Sequence, residues 1–278
     1  MFFRLRNLVF ILLLVPFFAH AQTATERYRS DTQSDKNLLD IYSFEGAEFA
    51  PVMIYVHGGA WQRGTRENIT GAAQYFKAQG YVVVSLDYRL VPDVTVEDQF
   101  DDVDHAIRWV YDNIADYGGD PHNVHLMGHS AGAHLVAMAG VNPGPKSRQL
   151  VHSGAIRTVI SNDTRTYDIP GLAATHRGRL SRTLAKVFGD DPARWQTLSP
   201  IYNIVQGQKP AFLILWSGQG DQESRGLFAD NFAAALSNSG TSASVFNGSR
   251  YNHRDINGNI GRPGEITATV EQFLSQYN

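Results

Sequence analysis

Asn123-Val-His-Leu-Met-Gly-His-Ser-Ala-Gly-Ala-His134 is the stretch on which the reading of this chain turns. The apolar run Val124 to Met127 reads as a buried strand. It leads without a spacer into Gly128-His129-Ser130-Ala131-Gly132, a G-x-S-x-G turn, and then into an alanine-rich helix expected over Ala131 to Ala139. A serine on so sharp a strand-to-helix turn stands with its Oγ exposed, and side chains at the two glycines would collide with the turn. The following helix directs its free N-terminal amides and the positive end of its dipole at a reacting carbonyl. Ser130 is therefore the candidate nucleophile.

Working outward, short apolar runs alternate with amphipathic stretches from about residue 38 onward. The runs are Val52 to Val56, Tyr81 to Leu86, Val124 to Met127, Ile156 to Ile160, Ala211 to Trp216 and Ala243 to Phe246. Runs of this length, apolar throughout, fit a mostly parallel central sheet with helices on both faces, the α/β class. Thr23 to Phe44 alternates more weakly and could add leading antiparallel strands. Val96 to Ala115 predicts a helix with Phe100, Val103, Ile107, Val110 and Ile114 on one side, and Leu227 to Leu236 predicts another. The rhythm breaks between Asn142 and Gln206. There Gly171 to Phe188 reads as one basic helix carrying Arg177, Arg179, Arg182 and Lys186, either a solvated surface helix or part of a small cap-like insertion over residues 163–206. An insertion at that point sits over the carboxyl ends of the strands, where open α/β sheets build their sites.

Acyl transfer needs donors for an oxyanion, and the run Val52 to Val56 leads into His57-Gly58-Gly59-Ala60-Trp61. The glycines let backbone N–H groups turn inward, so Gly59 and Ala60, with Gly58 as the adjacent candidate, join Ala131 as the expected oxyanion hole. His57 lies at a strand end before the nucleophile and is read as holding the loop; Trp61 is read as a pocket wall or loop anchor. A serine hydroxyl also needs an imidazole base oriented by a carboxylate. Of the ten histidines, His134, His152, His176 and His253 follow Ser130. His253 alone follows the last strand, in a loop before a terminal helix at Gly264 to Tyr277, as the order Ser, acid, His requires. The acid is expected after the strand Ala211 to Trp216, in Ser217-Gly-Gln-Gly-Asp-Gln-Glu-Ser224. Asp221 is favoured there over Glu223, which reads as a solvated loop charge. Asp163 and Asp168 come third, as groups that could equally be structural caps.

Composition narrows the remaining classes. The net charge is −3 with no basic block, so nothing points to nucleic acid. Cysteine is absent, so neither a disulfide nor a thiolate metal site can form; no metal or organic cofactor is expected. Arg4 and Arg6 precede an unbroken apolar run, Leu8 to Phe18, that ends at Ala19-His20-Ala21. The run is shorter than the ~20 residues of a membrane span, and the layout is that of a signal peptide cut after Ala21. Residues 22–278 are then expected to form one exported hydrolase domain, periplasmic or secreted, without a stable membrane span.

His57-Gly-Gly-Ala-Trp61, Asp87-Tyr-Arg-Leu90, Tyr117-Gly-Gly-Asp-Pro121 and Gly128-His-Ser-Ala-Gly-Ala-His134 together resemble one branch of the α/β-hydrolases. That branch contains hormone-sensitive-lipase-like carboxylesterases, kynurenine formamidases and bacterial deacetylase/feruloyl esterases. The resemblance is specific in the first half of the chain and mainly one of layout in the second. It implies the triad Ser130, Asp221 and His253, an oxyanion hole from the His-Gly-Gly loop plus Ala131, and structural roles for Asp87 and Arg89. Ala60 and Trp61 replace a third glycine and an aromatic common in the lipase-like members, which leans toward the formamidase and feruloyl-esterase side. Arg254 and Asp255 beside His253 argue against a long-chain lipase. The expected activity is hydrolysis of a small or polysaccharide-linked carboxylic ester through an acyl-enzyme. Arylformamidase and polysaccharide acetyl or feruloyl esterase are the alternatives, ahead of a serine peptidase or a non-catalytic binding protein.

Overall fold

Alternate residues of each central strand feed two separate cores. Val52, Ile54 and Val56 face one side of the sheet, while Met53 and Tyr55 face the other, as the two-residue period of a strand requires. The computed structural model describes residues 23–278 except positions 70, 176, 177, 179, 208, 209, 220 and 221 and the side chains of 222–224. The expected signal segment and the favoured acid Asp221 lie outside the described residues.

The strands are β1 (Ala24–Arg27), β2 (Leu38–Tyr42), β3 (Ala50–Val56), β4 (Val82–Leu86), β5 (Gly119–His129), β6 (Ile156–Asn162), β7 (Ala211–Ser217) and β8 (Ala243–Gly248). They form one eight-stranded sheet in the order β1-β2-β4-β3-β5-β6-β7-β8. The Thr23 to Phe44 segment supplies β1 and β2, which pair antiparallel; every pairing from β4 to β8 is parallel. All six apolar runs of the sequence lie in this parallel part.

Helices Val96–Asn113, Ala131–Val141 and Gln222–Asn238 cover one face with Val103, Ile107, Leu135, Val136, Phe228 and Phe232. Helices Ala72–Ala78 and Glu265–Leu274 cover the other with Phe76, Ile266, Val270 and Phe273. The Val96–Asn113 helix begins at a capping box in which the Thr95 side chain accepts from the Asp98 N–H and Asp98 accepts from the Thr95 N–H, satisfying two otherwise orphaned donors. Of its predicted stripe, Val103, Ile107, Val110 and Ile114 are buried and Phe100 is partly buried.

One sequence expectation is corrected. Gly171 to Phe188 is not one helix but two, Ile169–Thr175 and Arg182–Phe188. Gly178 stands between them at φ 79°, a left-handed conformation that stops an α-helix. Ser181 then starts the second helix by accepting the Leu184 N–H on its side chain. Leu172 and Leu184, from these two helices of the β6–β7 connection, share a cleft with Trp61, Ser130 and Asp163 at the carboxyl ends of β3, β5 and β6. Because β4 lies on one side of β3 and β5 on the other, the sheet reverses its winding there, the position where open α/β sheets form a crevice.

Candidate active site

Ser130 adopts φ 57°, ψ −115° at the end of β5, a strained conformation for a residue with a Cβ. The flanking glycines make the turn possible. A Cβ on Gly128 would lie 2.2 Å from the Gly132 carbonyl oxygen, and one on Gly132 would lie 2.1 Å from the Val56 oxygen and 2.6 Å from that of His57. The nucleophile turn is therefore packed backbone to backbone against the end of β3. Gly132→Ala is expected to lower stability by about 3 kcal/mol or to prevent folding, since the clashing atoms are main chain and cannot rotate away. Thermal unfolding checks this, and an unchanged Tm would contradict the packing.

His253 stands in the loop after β8 and reaches over the turn. The Ser130 Oγ lies 3.1 Å from its Nε2, and its Nδ1 lies 2.6 Å from Asp163 Oδ2. These partners assign the tautomer, with Nδ1–H donating to Asp163 and the Ser130 hydroxyl donating to Nε2. Asp163 follows β6 directly, at φ 67°, a left-handed geometry that Asp tolerates better than most residues. Its N–H is tied to the Leu215 carbonyl at 2.8 Å. Its carboxylate also accepts the Ser217 N–H at 2.8 Å, the Ser217 hydroxyl at 2.5 Å and Arg225 at 3.1 Å. Burial alone would raise its pKa. The hydrogen bond from His253, the Arg225 charge and the Ser217 hydroxyl outweigh that and hold it down to about 2, so the group is a carboxylate throughout the neutral range.

Among the described residues, the carboxylate that meets His253 is Asp163, third in the sequence reading after Asp221 and Glu223. Asp221 itself is outside the described residues, and the side chain of Glu223 is too. Asp168, the companion third choice, is a cap: it accepts the Gly171 N–H at 2.8 Å and the Tyr202 hydroxyl at 3.1 Å.

The His-Gly-Gly loop lies against the nucleophile. A Cβ on Gly58 would stand 3.0 Å from the Ser130 Cβ, and Gly59 (φ 132°), Ala60 (φ 53°) and Trp61 (φ 62°) all have positive φ. Among the described residues, no carbonyl accepts from the N–H of Gly59, Ala60 or Ala131, so these donors are free for an incoming oxygen. His57 is buried beneath the loop, stacked on Tyr88 at 4.4 Å with its Nδ1 2.7 Å from the Gly58 carbonyl, and Tyr88 donates to the His57 carbonyl at 3.0 Å. Asp87 receives Arg66 through its N–H and guanidinium, and Arg89 pairs with the buried Asp102. The indole N–H of Trp61 donates to His134 at 3.3 Å, and the Trp61 carbonyl accepts from Val91 and Gln99. Trp61 is both loop anchor and pocket wall.

Two residues of the site carried no signal in the sequence reading. His129, the variable position of G-x-S-x-G, donates from Nε2 to the His253 carbonyl at 3.0 Å and lies 4.6 Å from its ring. Burial first, then the proximity of His253, lowers its pKa to about 4, so it is neutral when it makes this bond. Arg225, in the first turn of the Gln222–Asn238 helix, braces Asp163. A histidine inside the motif could have been suspected; nothing local marks Arg225.

Trp61, Ser130, Asp163, Thr164, Leu172 and Leu184, with Arg165, Thr166, Arg225 and His253, line an open cleft of about 120 Å³. Leu172 and Leu184 come from the β6–β7 connection, and Phe188 of the same connection packs on Trp61 at 4.9 Å. His129, Asp163 and His253 are grouped closely enough to be considered as metal ligands. Their ligand atoms, however, are engaged with one another, with Ser130 and with backbone, and the Arg225 cation sits against the same carboxylate. A serine hydroxyl in line with an imidazole and a buried carboxylate, beside free amides, can carry out nucleophilic acyl transfer.

Known proteins share this arrangement of sequence and fold. The sequence model of the BD-FAE family matches residues 39–225. Esterase LipQ of Mycobacterium tuberculosis is 32% identical over 215 residues, 74% of this chain and 51% of that protein. A probable isoprenylcysteine alpha-carbonyl methylesterase of Oryza sativa is 27% identical over 250 residues, 81% of this chain and 56% of that protein. The chain thus spans about half the length of the curated relatives it matches. An esterase from Thermogutta terrifontis with bound propionate superposes with a TM-score of 0.73 at 23% identity, covering 93% of this chain and 95% of that one. A truncated carbohydrate esterase from gut microbiota gives 0.74 at 19% identity, covering 93% and 98%. At these identities the structural likeness shows the α/β-hydrolase fold.

Proposed function

Because the chain belongs to the BD-FAE family of α/β-hydrolase esterases, we propose that it hydrolyses short-chain carboxylic esters, acetyl esters foremost, through an acyl-enzyme on Ser130. The observation that carries the reading is the hydrogen-bonded line from Ser130 Oγ through His253 to Asp163, at 3.1 and 2.6 Å. His253 takes the Ser130 proton as Oγ attacks the ester carbonyl. Asp163 holds the imidazole in the tautomer that leaves Nε2 free and stabilises the imidazolium that forms. The oxyanion is received by the amides of Gly59, Ala60 and Ala131, each worth roughly 3 to 4 kcal/mol in the transition state. His253 then protonates the leaving alcohol, and water repeats the cycle to release the acid.

Two features support a short acyl group. The cleft beside Ser130 holds about 120 Å³, below the roughly 300 Å³ at which drug-sized ligands begin to fit. Its walls also mix Leu172, Leu184 and Trp61 with Thr164, Thr166 and Arg225, a polar setting that a long alkyl chain would have to desolvate. The family and the likeness to a carbohydrate esterase favour a sugar hydroxyl as the leaving alcohol, and the signal-peptide-like layout of residues 1–21 supports action outside the cytoplasm. For p-nitrophenyl esters of rising chain length, kcat/KM is expected to be highest at acetate or propionate and to fall at least about tenfold by octanoate. Acetylated xylan should be deacetylated, and methyl ferulate and N-formylkynurenine turned over more slowly. A maximum at octanoate would overturn the short-acyl reading.

A further inference from the structure

Gly226 packs the first turn of the Gln222–Asn238 helix onto the end of β7: a Cβ there would lie 2.9 Å from the Trp216 ring. That close approach fixes where Arg225, one residue earlier, can extend. Its guanidinium reaches Asp163 Oδ1 at 3.1 Å and comes within 3.5 Å of His253 Nδ1. The second contact is a juxtaposition and not a hydrogen bond, because Nδ1 carries the proton given to Asp163. A cation therefore stands against the imidazole and carboxylate together. Its side chain is 19% exposed, and the Asp163 side chain is fully buried, so the charges are little screened on the side where they meet.

We propose that Arg225 is a positioning residue of the acyl-transfer site, clamping Asp163 and disfavouring protonation of His253, so that the enzyme stays active to lower pH than serine, histidine and aspartate alone would allow. The inference rests on the Ser130–His253–Asp163 reading of the site. The charged and titratable groups facing His253 have distinct effects. Asp163, from β6, favours the imidazolium; Arg225, from the helix, opposes it. His129, from β5, is held neutral by burial and offers its Nε2–H to the His253 carbonyl. Arg165 lines the same cleft from the β6–β7 connection, and Arg254 and Asp255 follow His253 in its own loop, with Asp255 bonded to Asn252. Arg225 is in direct contact with both members of the Asp163–His253 pair.

Removing that cation leaves the carboxylate free to stabilise the imidazolium, and a protonated His253 cannot act as base. In Arg225→Gln, the acidic limb of the kcat/KM profile for p-nitrophenyl acetate is expected to move up by about one pH unit. Activity well below the limb then falls about tenfold relative to the plateau. Arg225→Lys keeps the charge and should leave the limb near its wild-type position, with a lower plateau from the lost guanidinium geometry. A purely structural role would lower the plateau in both variants without moving either limb. The His253 titration, followed by NMR in a Ser130→Ala background with and without Arg225→Met, reads the same shift without turnover and with the side-chain stem retained. Limbs and titrations that coincide with wild type, while Asp163→Asn is severely impaired, overturn the role of Arg225. Near-wild-type activity in Asp163→Asn overturns the underlying site reading instead.

Discussion

Ser130→Ala is expected to lower kcat for p-nitrophenyl acetate by about a millionfold and to abolish covalent labelling by a fluorophosphonate probe, with the fold intact. The size follows from the site acting as a unit: without the Oγ there is nothing for His253 to activate, and only the oxyanion amides and substrate binding remain. The fold should survive because the side chain does little structurally. Its Oγ is bonded to His253, whereas the backbone bonds of the turn, from the Ser130 N–H to the Asn162 carbonyl at 2.9 Å and from the His134 N–H to the Ser130 carbonyl at 3.3 Å, involve no side-chain atom. Alanine also keeps the same Cβ at φ 57°, so no new strain is introduced. Unfolding temperature and probe labelling should therefore part company. Continued labelling of the alanine variant at the wild-type rate would remove Ser130 from the mechanism.

The nucleophile was legible in the sequence because its requirements are local. Gly128 and Gly132 mark a turn where no Cβ fits, and the apolar run before it and the alanine-rich run after it can be read from residues that touch each other in the chain. The same is true of Gly58 to Trp61, whose glycine content announces a backbone that must turn inward after β3. His253 was found by elimination, since only one histidine follows the last strand. The five strands β3 to β7 were legible because a strand covered on both faces is apolar throughout; β8, at the edge of the sheet, is only partly buried.

The acid was not legible, for a geometric reason. β6 and β7 are neighbours paired at Asn162 and Leu215, so the loops that leave them start within hydrogen-bond distance of one another; Asp163 indeed holds both Leu215 and Ser217. Chain order allows an acid from either loop, and a difference of one strand spacing decides which carboxylate meets the imidazole. Arg225 was invisible for a related reason: a single arginine in the first turn of a helix has no periodicity or spacing to distinguish it from a solvated charge. The break in the Gly171 to Phe188 stretch was missed because helical composition on both sides concealed the Gly178 turn.

Asp163→Asn is expected to lower kcat by about 10⁴ with a small change in KM, and Asp221→Asn to change either little. An asparagine at 163 can turn its amide N–H₂ toward His253, which favours the tautomer protonated on Nε2 and takes away the base that Ser130 needs. It also removes the negative charge that stabilises the imidazolium as Oγ attacks. The substitution should cost stability as well. The Asp163 pKa is held at about 2, below its ordinary 3.8. A depressed carboxylate pKa contributes stability that is fully present above the unfolded-state value and is lost as pH falls through the folded value, here between about 4 and about 2. Its contribution at neutral pH is about 2 kcal/mol. The variant should thus be less stable than wild type at pH 7 and close to it near pH 2, which urea unfolding at the two pH values measures. Arg225 makes the loss worse at neutral pH, since the neutral amide leaves a partly buried guanidinium without its anion. A 10⁴-fold loss at Asp221→Asn with a mild effect at Asp163→Asn would transfer the role to the loop after β7. The buried bonds from Ser217, Arg225 and His253 all converge on Asp163, and that convergence predicts the opposite.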